Sequence, residues 1–310
     1  MIGAPASGPT SENITGQVAV GQNAREVPYV TPRRRPWQAR RMTSSTPPSP
    51  SAAPASAGHD PHDHADRAAS FDRDADVYAQ VRPSYPRDAV EWLLPAGARR
   101  VLDLAAGTGK LTQVVAGVVG PGTDVLAVDP SLPMLGELSA RLPGVSIHLG
   151  TAERIPLPDG SVDAVLVGQA WHWFDADAAA AEIARVLRPG GTLGVVWNDR
   201  DADVDWVARF GEILHRGDRL EPAAGHVPPT GLGDPFTAVE AGTFRWVDRL
   251  PAGALRVLAG TRSYLLTLPE DERAALLADV DALEATHPDL AGRAEIDLPY
   301  VASAYRTRRR

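Results

Sequence analysis

One short stretch, residues 100–118, constrains the fold more than any other part of the chain. Arg100–Leu104 is a mostly apolar run, followed by small residues with two glycines, Gly107 and Gly109, and then by apolar residues at helical spacing. This order predicts a buried parallel strand, a tight turn and a helix. Ligands of doubly wound sheets bind outside the carboxyl ends of the strands, and glycine lets a ligand approach the backbone where a Cβ would collide. The stretch therefore predicts an α/β doubly wound fold with a binding site at this turn.

Two phosphate-binding patterns do not fit the turn. A dinucleotide fingerprint requires a third glycine, where Thr112 stands, and a P-loop requires a glycine at Leu104 and a hydroxyl residue at Leu111. Asp103, at the end of the strand, would repel a pyrophosphate but suits a cation. S-adenosylmethionine (SAM) has no phosphate and carries an ammonium and a sulfonium. The turn therefore fits SAM better than a nucleotide phosphate.

The same turn resembles the first motif of the class I SAM-dependent methyltransferases, D-x-G-x-G-x-G, through Asp103, Ala105, Gly107 and Gly109. Ala105 stands in the first glycine position, where its methyl group is compatible with the turn if the backbone keeps a negative φ. The resemblance implies a Rossmann-like seven-stranded sheet that ends in an antiparallel hairpin. It also implies SAM as the cofactor and S-adenosylhomocysteine (SAH) as its product.

Composition and periodicity predict three parts. Residues 1–68 are rich in Pro, Ala and Ser without a helical or strand period, so we expect a disordered tail. Met42 is an alternative start, which would leave residues 1–41 untranslated, and His59–His64 is better explained as solvated tail than as a metal site. Residues 69–200 alternate strands and helices, as a SAM-binding Rossmann-like core does. Residues 201–310 are expected to complete the sheet, with a helical insertion near the C-terminus that shapes a substrate pocket.

A second acid supports the cofactor prediction. Asp129 ends the predicted strand 124–129, twenty residues after Gly109, and at that distance a carboxylate can accept both ribose hydroxyls. Pro130 opens the following helix. Met134 is a candidate to pack on the adenine, although core packing is the commoner role of a methionine on a helix.

The segment after the third predicted strand, Gly150–Leu157, is similar to the family pattern G-D-A-E-x-L-P. Thr151 stands where that Asp receives the adenine amino group, and its hydroxyl is a weaker acceptor. The resemblance implies that the backbone amides of Ala152 and Glu153 contact the adenine ring. Glu153 is as well explained as an anchor for the loop.

An aromatic segment, Gly168–Asp175, follows the fourth predicted strand and resembles the A-x-H-W-F segment of ubiquinone-biosynthesis-type and trans-aconitate-type small-molecule methyltransferases. Gln169 stands where metal-dependent catechol-type enzymes carry an Asp ligand, so no metal is expected. Trp171 and Trp173 are predicted to wall the substrate site. His172 is either the general base for an oxygen acceptor or a hydrogen-bonding support for that wall.

The N-terminal lead-in carries the pattern F-x6-Y-x3-RPSYP, which resembles the segment that folds over the cofactor in small-molecule methyltransferases. Tyr78 and Arg82 are therefore candidate lid residues, with simple core packing as the alternative for the apolar positions around them.

Charge and composition narrow the partners. The chain has a formal net charge of −8, whereas a nucleic-acid enzyme is expected to present a basic face. It has no cysteine for thiolate metal sites and no run of about 18 apolar residues for a membrane span. We therefore expect a cytoplasmic methyltransferase with a small-molecule acceptor. A SAM-binding regulatory or scaffold protein without turnover is the alternative, and the oligomeric state is left open.

Overall fold

The computed structural model describes residues 83–216, 228–262, 265 and 268–310. Their strands form one seven-stranded sheet in the order β3-β2-β1-β4-β5-β7-β6. Strands β1 to β5 are parallel, whereas β7 pairs antiparallel with both β5 and β6. The strands are β1 Arg100–Leu104, β2 Asp124–Asp129, β3 Ser146–Leu149, β4 Val162–Gly168, β5 Leu187–Arg200, β6 Glu240–Pro251 and β7 Glu295–Arg308.

Helices follow most of the strands. They are α1 Arg87–Leu93, α2 Lys110–Val118, α3 Leu132–Arg141, α4 Ala176–Val186, α5 Asp205–His215, α6 Ala254–Gly260 and α7 Glu270–Thr286, with a 3₁₀ turn at Trp171–Trp173. The predicted fold class is confirmed, including the terminal antiparallel hairpin β6–β7 with two helices, α6 and α7, inserted between its strands. No helix in the described part of the chain is long and apolar enough to cross a membrane.

Several element boundaries differ from the predictions. The sequence predicts a strand over 192–197, but β5 begins five residues earlier, at Leu187, because residues on both sides of the Pro189–Gly191 segment pair with neighbouring strands. The pattern over 236–250 predicts one or two strands, and the structure has one continuous strand there, β6. The pattern over 252–268 predicts a helix, but α6 already ends at Gly260. The predicted tail and the lead-in up to Arg82 lie outside the described residues.

The central strands are mostly apolar and buried because helices cover both faces of the sheet. Every residue of β1 after Arg100 is buried, and so is every residue of β2 after Asp124. The two faces pack in separate clusters, one under α4 and one under α1 and α2. Asp103 and Asp129 therefore approach the ends of two adjacent buried strands, with Leu104 opposite Val128 in the register.

Side-chain N-caps fix the starts of α3 and α4, the helices that follow the loops after β2 and β4. The Ser131 hydroxyl accepts from the Met134 amide at the start of α3, and the Asp175 carboxylate accepts from the Ala178 amide at the start of α4. Such caps satisfy amides that the first helical turn leaves without a partner. The loops after β2 and β4 therefore return to their helices directly above the strand ends.

The C-terminal helices form a core of their own. An apolar cluster joins α5, α6 and α7 to strand β7 through Phe210, Leu255, Val280 and Leu298, all of them fully buried. The helical insertion is therefore packed onto the end of the sheet through this cluster.

Candidate functional site

A cavity of about 780 Å³ lies at the carboxyl ends of the parallel strands. The strand order reverses between β1 and β4, and the crevice at such a reversal is where open α/β sheets bind ligands. The cavity brings together most of the residues predicted from the sequence. Those that line it are Asp103, Ala105, Gly107, Asp129, Pro130, Met134, Thr151, Ala152, Glu153, Gln169, His172 and Trp173.

The turn after β1 is built from left-handed backbone. Ala105, Gly107 and Gly109 have φ values of +59°, +54° and +85°. The condition of a negative φ at Ala105 is therefore not met, and an L-residue in this region loses about 1–2 kcal/mol. Two backbone hydrogen bonds hold the turn in place, from the Ala106 amide to Val128 (3.1 Å) and from the Gly109 amide to Ala106 (2.9 Å).

The two glycines of the turn have different roles. A Cβ on Gly109 would lie 2.8 Å from Cγ of Leu138, so this glycine permits the close packing of α2 against α3, and it does not line the cavity. A Cβ on Gly107 would meet nothing within 4 Å, because this glycine opens onto the cavity.

Asp129 is held in a fixed orientation by backbone amides. One carboxylate oxygen accepts from the Gly107 amide and the other from the Ser131 amide, both at 2.8 Å. The residue is only 7% exposed. A carboxylate oxygen has more than one acceptor site, so both oxygens can still accept from hydroxyl groups in the cavity.

Asp103 is a buried carboxyl group with an unused acceptor. The residue is 1% exposed, the Thr112 hydroxyl donates to its Oδ2 at 2.6 Å, and its Oδ1 has no hydrogen-bond partner. Burial raises the pKa of Asp103 to about 7; the charge of Asp129 adds to this increase and the bond from Thr112 opposes it. A cationic group of a ligand in the cavity would therefore favour the ionised form of Asp103.

The loop after β3 forms the next wall. Thr151 and Ala152 line the cavity opposite Met134 on α3, whose side chain is otherwise buried. The Glu153 carboxylate accepts from the Asp175 amide at 3.1 Å, so this side chain ties the loop to the start of α4. That contact is the anchoring role considered for Glu153, and the residue also lines the cavity.

The aromatic segment after β4 forms the outer wall. His172 and Trp173 are exposed and line the cavity, with ring centroids 4.9 Å apart, and the His172 ring lies 5.3 Å from that of Trp197. Trp171, by contrast, is buried in the core against Phe174 and does not line the cavity, so the predicted wall role does not hold for it. Its apolar ring packs on the sheet because the 3₁₀ turn directs it inward.

Gln169 belongs to a hydrogen-bonded chain across the strand ends. It has a φ of +58°, and its amide Nε2 donates to the carbonyl of Asn198 at 2.8 Å. Asn198 in turn donates to the carbonyl of Ser84 at 2.9 Å and accepts from the Trp246 indole at 2.8 Å. This chain connects β4, β5, β6 and the lead-in segment around Tyr85.

The cavity residues that the sequence did not predict include four with polar or charged side chains: Tyr85, Lys110, Asn198 and Arg262. Asn198 is the last buried residue of β5, so the strand-end argument used for Asp129 could have found it. Arg262 has no local signal, because it enters the cavity from the insertion. Tyr78 and Arg82 lie outside the described residues. Within the described ranges, no group of three or more His, Cys, Asp or Glu side chains is placed to hold a metal ion.

Comparison with known proteins decides the family. A family model described as "Methyltransferase domain" matches residues 102–195, which include the end of β1, the turn and the aromatic segment. A Mycobacterium tuberculosis protein described as an uncharacterized methyltransferase is 50% identical over 241 residues, covering 78% of this chain and 96% of the relative. The chain belongs to the class I SAM-dependent methyltransferases.

Two further relatives of this methyltransferase agree with that assignment. A demethylmenaquinone methyltransferase of Beutenbergia cavernae is 35% identical over 211 residues, covering 66% of this chain and 84% of the relative. A solved structure from Anaeromyxobacter dehalogenans, described as a candidate type II methyltransferase, has a TM-score of 0.57 at 28% identity and covers 74% of this chain and 97% of that one. The methyltransferase fold thus extends well beyond the segment that the family model matches.

The cavity of this methyltransferase has features that fit SAM. A buried carboxyl oxygen of Asp103 lacks a partner, as an ammonium site requires. The Gly107 backbone is open to the cavity, and the Asp129 carboxylate is oriented by two amides and keeps acceptor capacity for hydroxyl groups.

Proposed function

We propose that this methyltransferase binds SAM in the cavity at the strand ends and transfers the methyl group to a small-molecule acceptor. One observation carries the proposal: the acidic turn residues and the aromatic segment line the same cavity, whose volume is about 780 Å³. This volume lies within the range of about 300–1,000 Å³ that is usual for small-ligand sites.

The turn and the next two loops would hold the cofactor. Asp129 would accept from the ribose hydroxyls, and Asp103 would receive the ammonium group near the open backbone of Gly107. The adenine would lie between the loop after β3 and helix α3. The residues around it would be Pro130, Met134, Thr151, Ala152 and Glu153.

When bound, SAM supplies a methyl group that its sulfonium charge already activates. The contribution of the protein is therefore mainly orientation and the exclusion of water, and orientation alone is worth about 7–11 kcal/mol in favourable systems. The side chains of Trp173 and Phe174 and the Tyr85 ring provide the apolar wall for this purpose. Gln169, held by Asn198, fixes the backbone at the end of β4 where that wall begins.

An oxygen acceptor also has to lose a proton. His172 lies on the cavity wall, and histidine is the side chain that most often serves as a general base, so it is the group placed to accept that proton. In the competing role, His172 only supports Trp173 and Trp197, whose rings it contacts.

The net charge of the chain favours a small-molecule acceptor over a nucleic acid. The net charge of −8 is opposite to that expected of an enzyme that binds a nucleic-acid backbone. The relative from Beutenbergia cavernae, by its name, methylates demethylmenaquinone, which is a small molecule.

The cofactor assignment is tested by calorimetry. Asp129→Ala removes a charge-assisted contact worth about 1.5–3 kcal/mol, so we expect SAH to bind about 10- to 150-fold more weakly. Asp124→Ala is the matched control, because Asp124 stands at the exposed start of the same strand. Tight binding of NADH or ATP without binding of SAH would overturn the assignment.

Turnover is tested separately. Incubation with methyl-labelled SAM and a metabolite extract should give a labelled small molecule only when the wild-type protein is present. SAH binding without any labelled product would favour the regulatory or scaffold alternative.

A further inference from the structure

The charges that line the cavity are unevenly distributed. Its carboxylates, on Asp103, Asp129 and Glu153, lie at the ends of β1 and β2 and in the loop after β3, where the proposed function places SAM. Among the described lining residues, the cationic side chains are Lys110, the first residue of α2, and Arg262, just after α6. Two cations thus line a cavity in a chain of net negative charge.

Lys110 has a desolvated ammonium without a direct partner. It is half-buried, and within the described part of the chain no hydrogen bond or ion pair holds it. Desolvation lowers the pKa of Lys110; the charge of Asp248 opposes this decrease and that of Arg141 adds to it. An ammonium removed from water without a counter-ion is unfavourable, and a ligand anion would relieve that cost.

Asp248 does not serve as that counter-ion. No ion pair within 4.0 Å joins it to Lys110, and desolvation raises the pKa of Asp248 itself, against the opposing charge of Lys110. Asp248 lies on β6, three residues before Pro251, where the strand ends and the insertion begins. Asp248 therefore influences Lys110 electrostatically without neutralising it by direct contact.

Arg262 comes from the insertion itself. Its amide donates to the carbonyl of Ala259 at 3.1 Å, which fixes its backbone directly after α6. The core and the insertion thus each contribute one cation to the wall of the same cavity. A guanidinium binds carboxylate or phosphate oxygens in pairs, whereas an ammonium binds them as a compact charge.

We propose that the methyl acceptor is a small organic anion whose carboxylate or phosphate group is bound by Lys110 and Arg262. The inference rests on the proposed function, since it assumes that the carboxylate-lined end of the cavity holds SAM. It adds that the acceptor is an anion and that Lys110 and Arg262 bind its charged group. The aromatic wall of Trp173 and Phe174 then accommodates the apolar part of the acceptor.

The charge of the acceptor is tested first, with the full chain. A metabolite extract is separated by anion exchange, and each fraction is assayed for transfer of labelled methyl groups from SAM. We expect transfer in the bound, anionic fractions, and phosphatase treatment of those fractions distinguishes a phosphate ester from a carboxylate. Transfer confined to the unbound fraction overturns the inference. Transfer in no fraction, with SAH still bound, contradicts the proposed turnover instead.

Two variants then test the residues. Lys110→Met and Arg262→Met should each raise the apparent KM for the active fraction about 10- to 150-fold and leave the Kd for SAH unchanged. Arg293→Met, on an exposed residue of the same insertion, is the control and should change neither constant. An equal loss of SAH affinity in Lys110→Met would overturn the assignment of Lys110, because this residue would then bind the carboxylate of SAM. A lower melting temperature with unchanged KM would overturn it as well.

The composition provides a further readout. Lys110 is the only lysine in the chain, so an amine reagent modifies a single side chain, and the modified peptide identifies it by mass spectrometry. The active anionic fraction should protect Lys110 from modification in the presence of SAH, and SAH alone should not. Protection by SAH alone would contradict the inference.

Discussion

The strand-end loops and the C-terminal helices contribute to the same cavity in different ways. The loops after β1, β2, β3 and β4 provide most of its lining, and hydrogen bonds such as that from the Gly107 amide to the Asp129 carboxylate fix their positions. The helices α5 to α7 pack through an apolar cluster, and the segment directly after α6 supplies Arg262 to the wall. The loops therefore depend on particular residues, whereas the helices depend on an apolar pattern. Under the proposed function, the loops would hold the cofactor, and the insertion would contribute to binding of the acceptor.

The largest expected effect separates chemistry from binding within the loops. If His172 is the base for an oxygen acceptor, His172→Ala should lower kcat about 10²- to 10⁴-fold with little change in SAH affinity. The ascending limb of the pH–rate profile should disappear, because the imidazole would no longer gate proton removal.

His172→Asn provides the control for this experiment, since it keeps a hydrogen-bonding group but not a base. Turnover close to wild type in this variant would leave orientation and water exclusion as the mechanism, and the pH profile should then keep its shape.

The next effect tests whether the two regions are energetically separate. Phe210 is fully buried in the cluster of the C-terminal helices, so Phe210→Ala should lower the free energy of unfolding by about 3–5 kcal/mol. We expect the Kd for SAH to stay unchanged under conditions where the variant is folded. Val257→Ala, on the exposed side of α6, should change stability by less than about 0.5 kcal/mol. A parallel loss of SAH affinity in Phe210→Ala would show that the helices also support the strand-end loops.

A pH series examines the buried acid of the turn. The pKa of Asp103 is raised by burial from 3.8 to about 7 in the folded protein. Its contribution to stability is therefore present at low pH and is lost as the pH rises through 7. Binding of a ligand ammonium requires the ionised form, so SAH affinity should fall about 10-fold for each pH unit below 7. Calorimetry and chemical denaturation of the wild type and Asp103→Asn would measure both trends, and the variant should show neither.

The smallest effect tests the backbone of the turn. Ala105→Gly removes the strain of about 1–2 kcal/mol that alanine has in the left-handed region. The substitution also makes the unfolded chain more flexible, which destabilises the folded state by about 0.4–1 kcal/mol. We therefore expect a net stabilisation of less than about 2 kcal/mol. Gly109→Ala should have the opposite sign, because a Cβ there would meet Leu138 at 2.8 Å. Equal changes in the free energy of unfolding for the two substitutions would contradict the difference between Ala105 and the close-packed Gly109.

Much of the strand-end region could be predicted from residue order. The predicted run Arg100–Leu104 coincides with β1, and β2 has the predicted bounds Asp124–Asp129. Because parallel strands present their carboxyl ends at one edge, two acids that terminate adjacent strands must lie near each other. The prediction of a helical insertion in the terminal hairpin depended in the same way on the order of helical and strand patterns.

The sequence by itself determined the strand–turn–helix unit, the two strand-end acids and the family, because these depend on local periodicity and on residues a few positions apart. Only the tertiary structure decided the positive φ of Ala105, the burial of Trp171 and the entry of Arg262 into the cavity. Each of these depends on neighbours that are distant in the chain. Strand β2 holds the turn, the sheet buries the indole, and the packing of the insertion carries the guanidinium to the cavity. Such contacts follow from how elements pack together, which local sequence patterns do not encode.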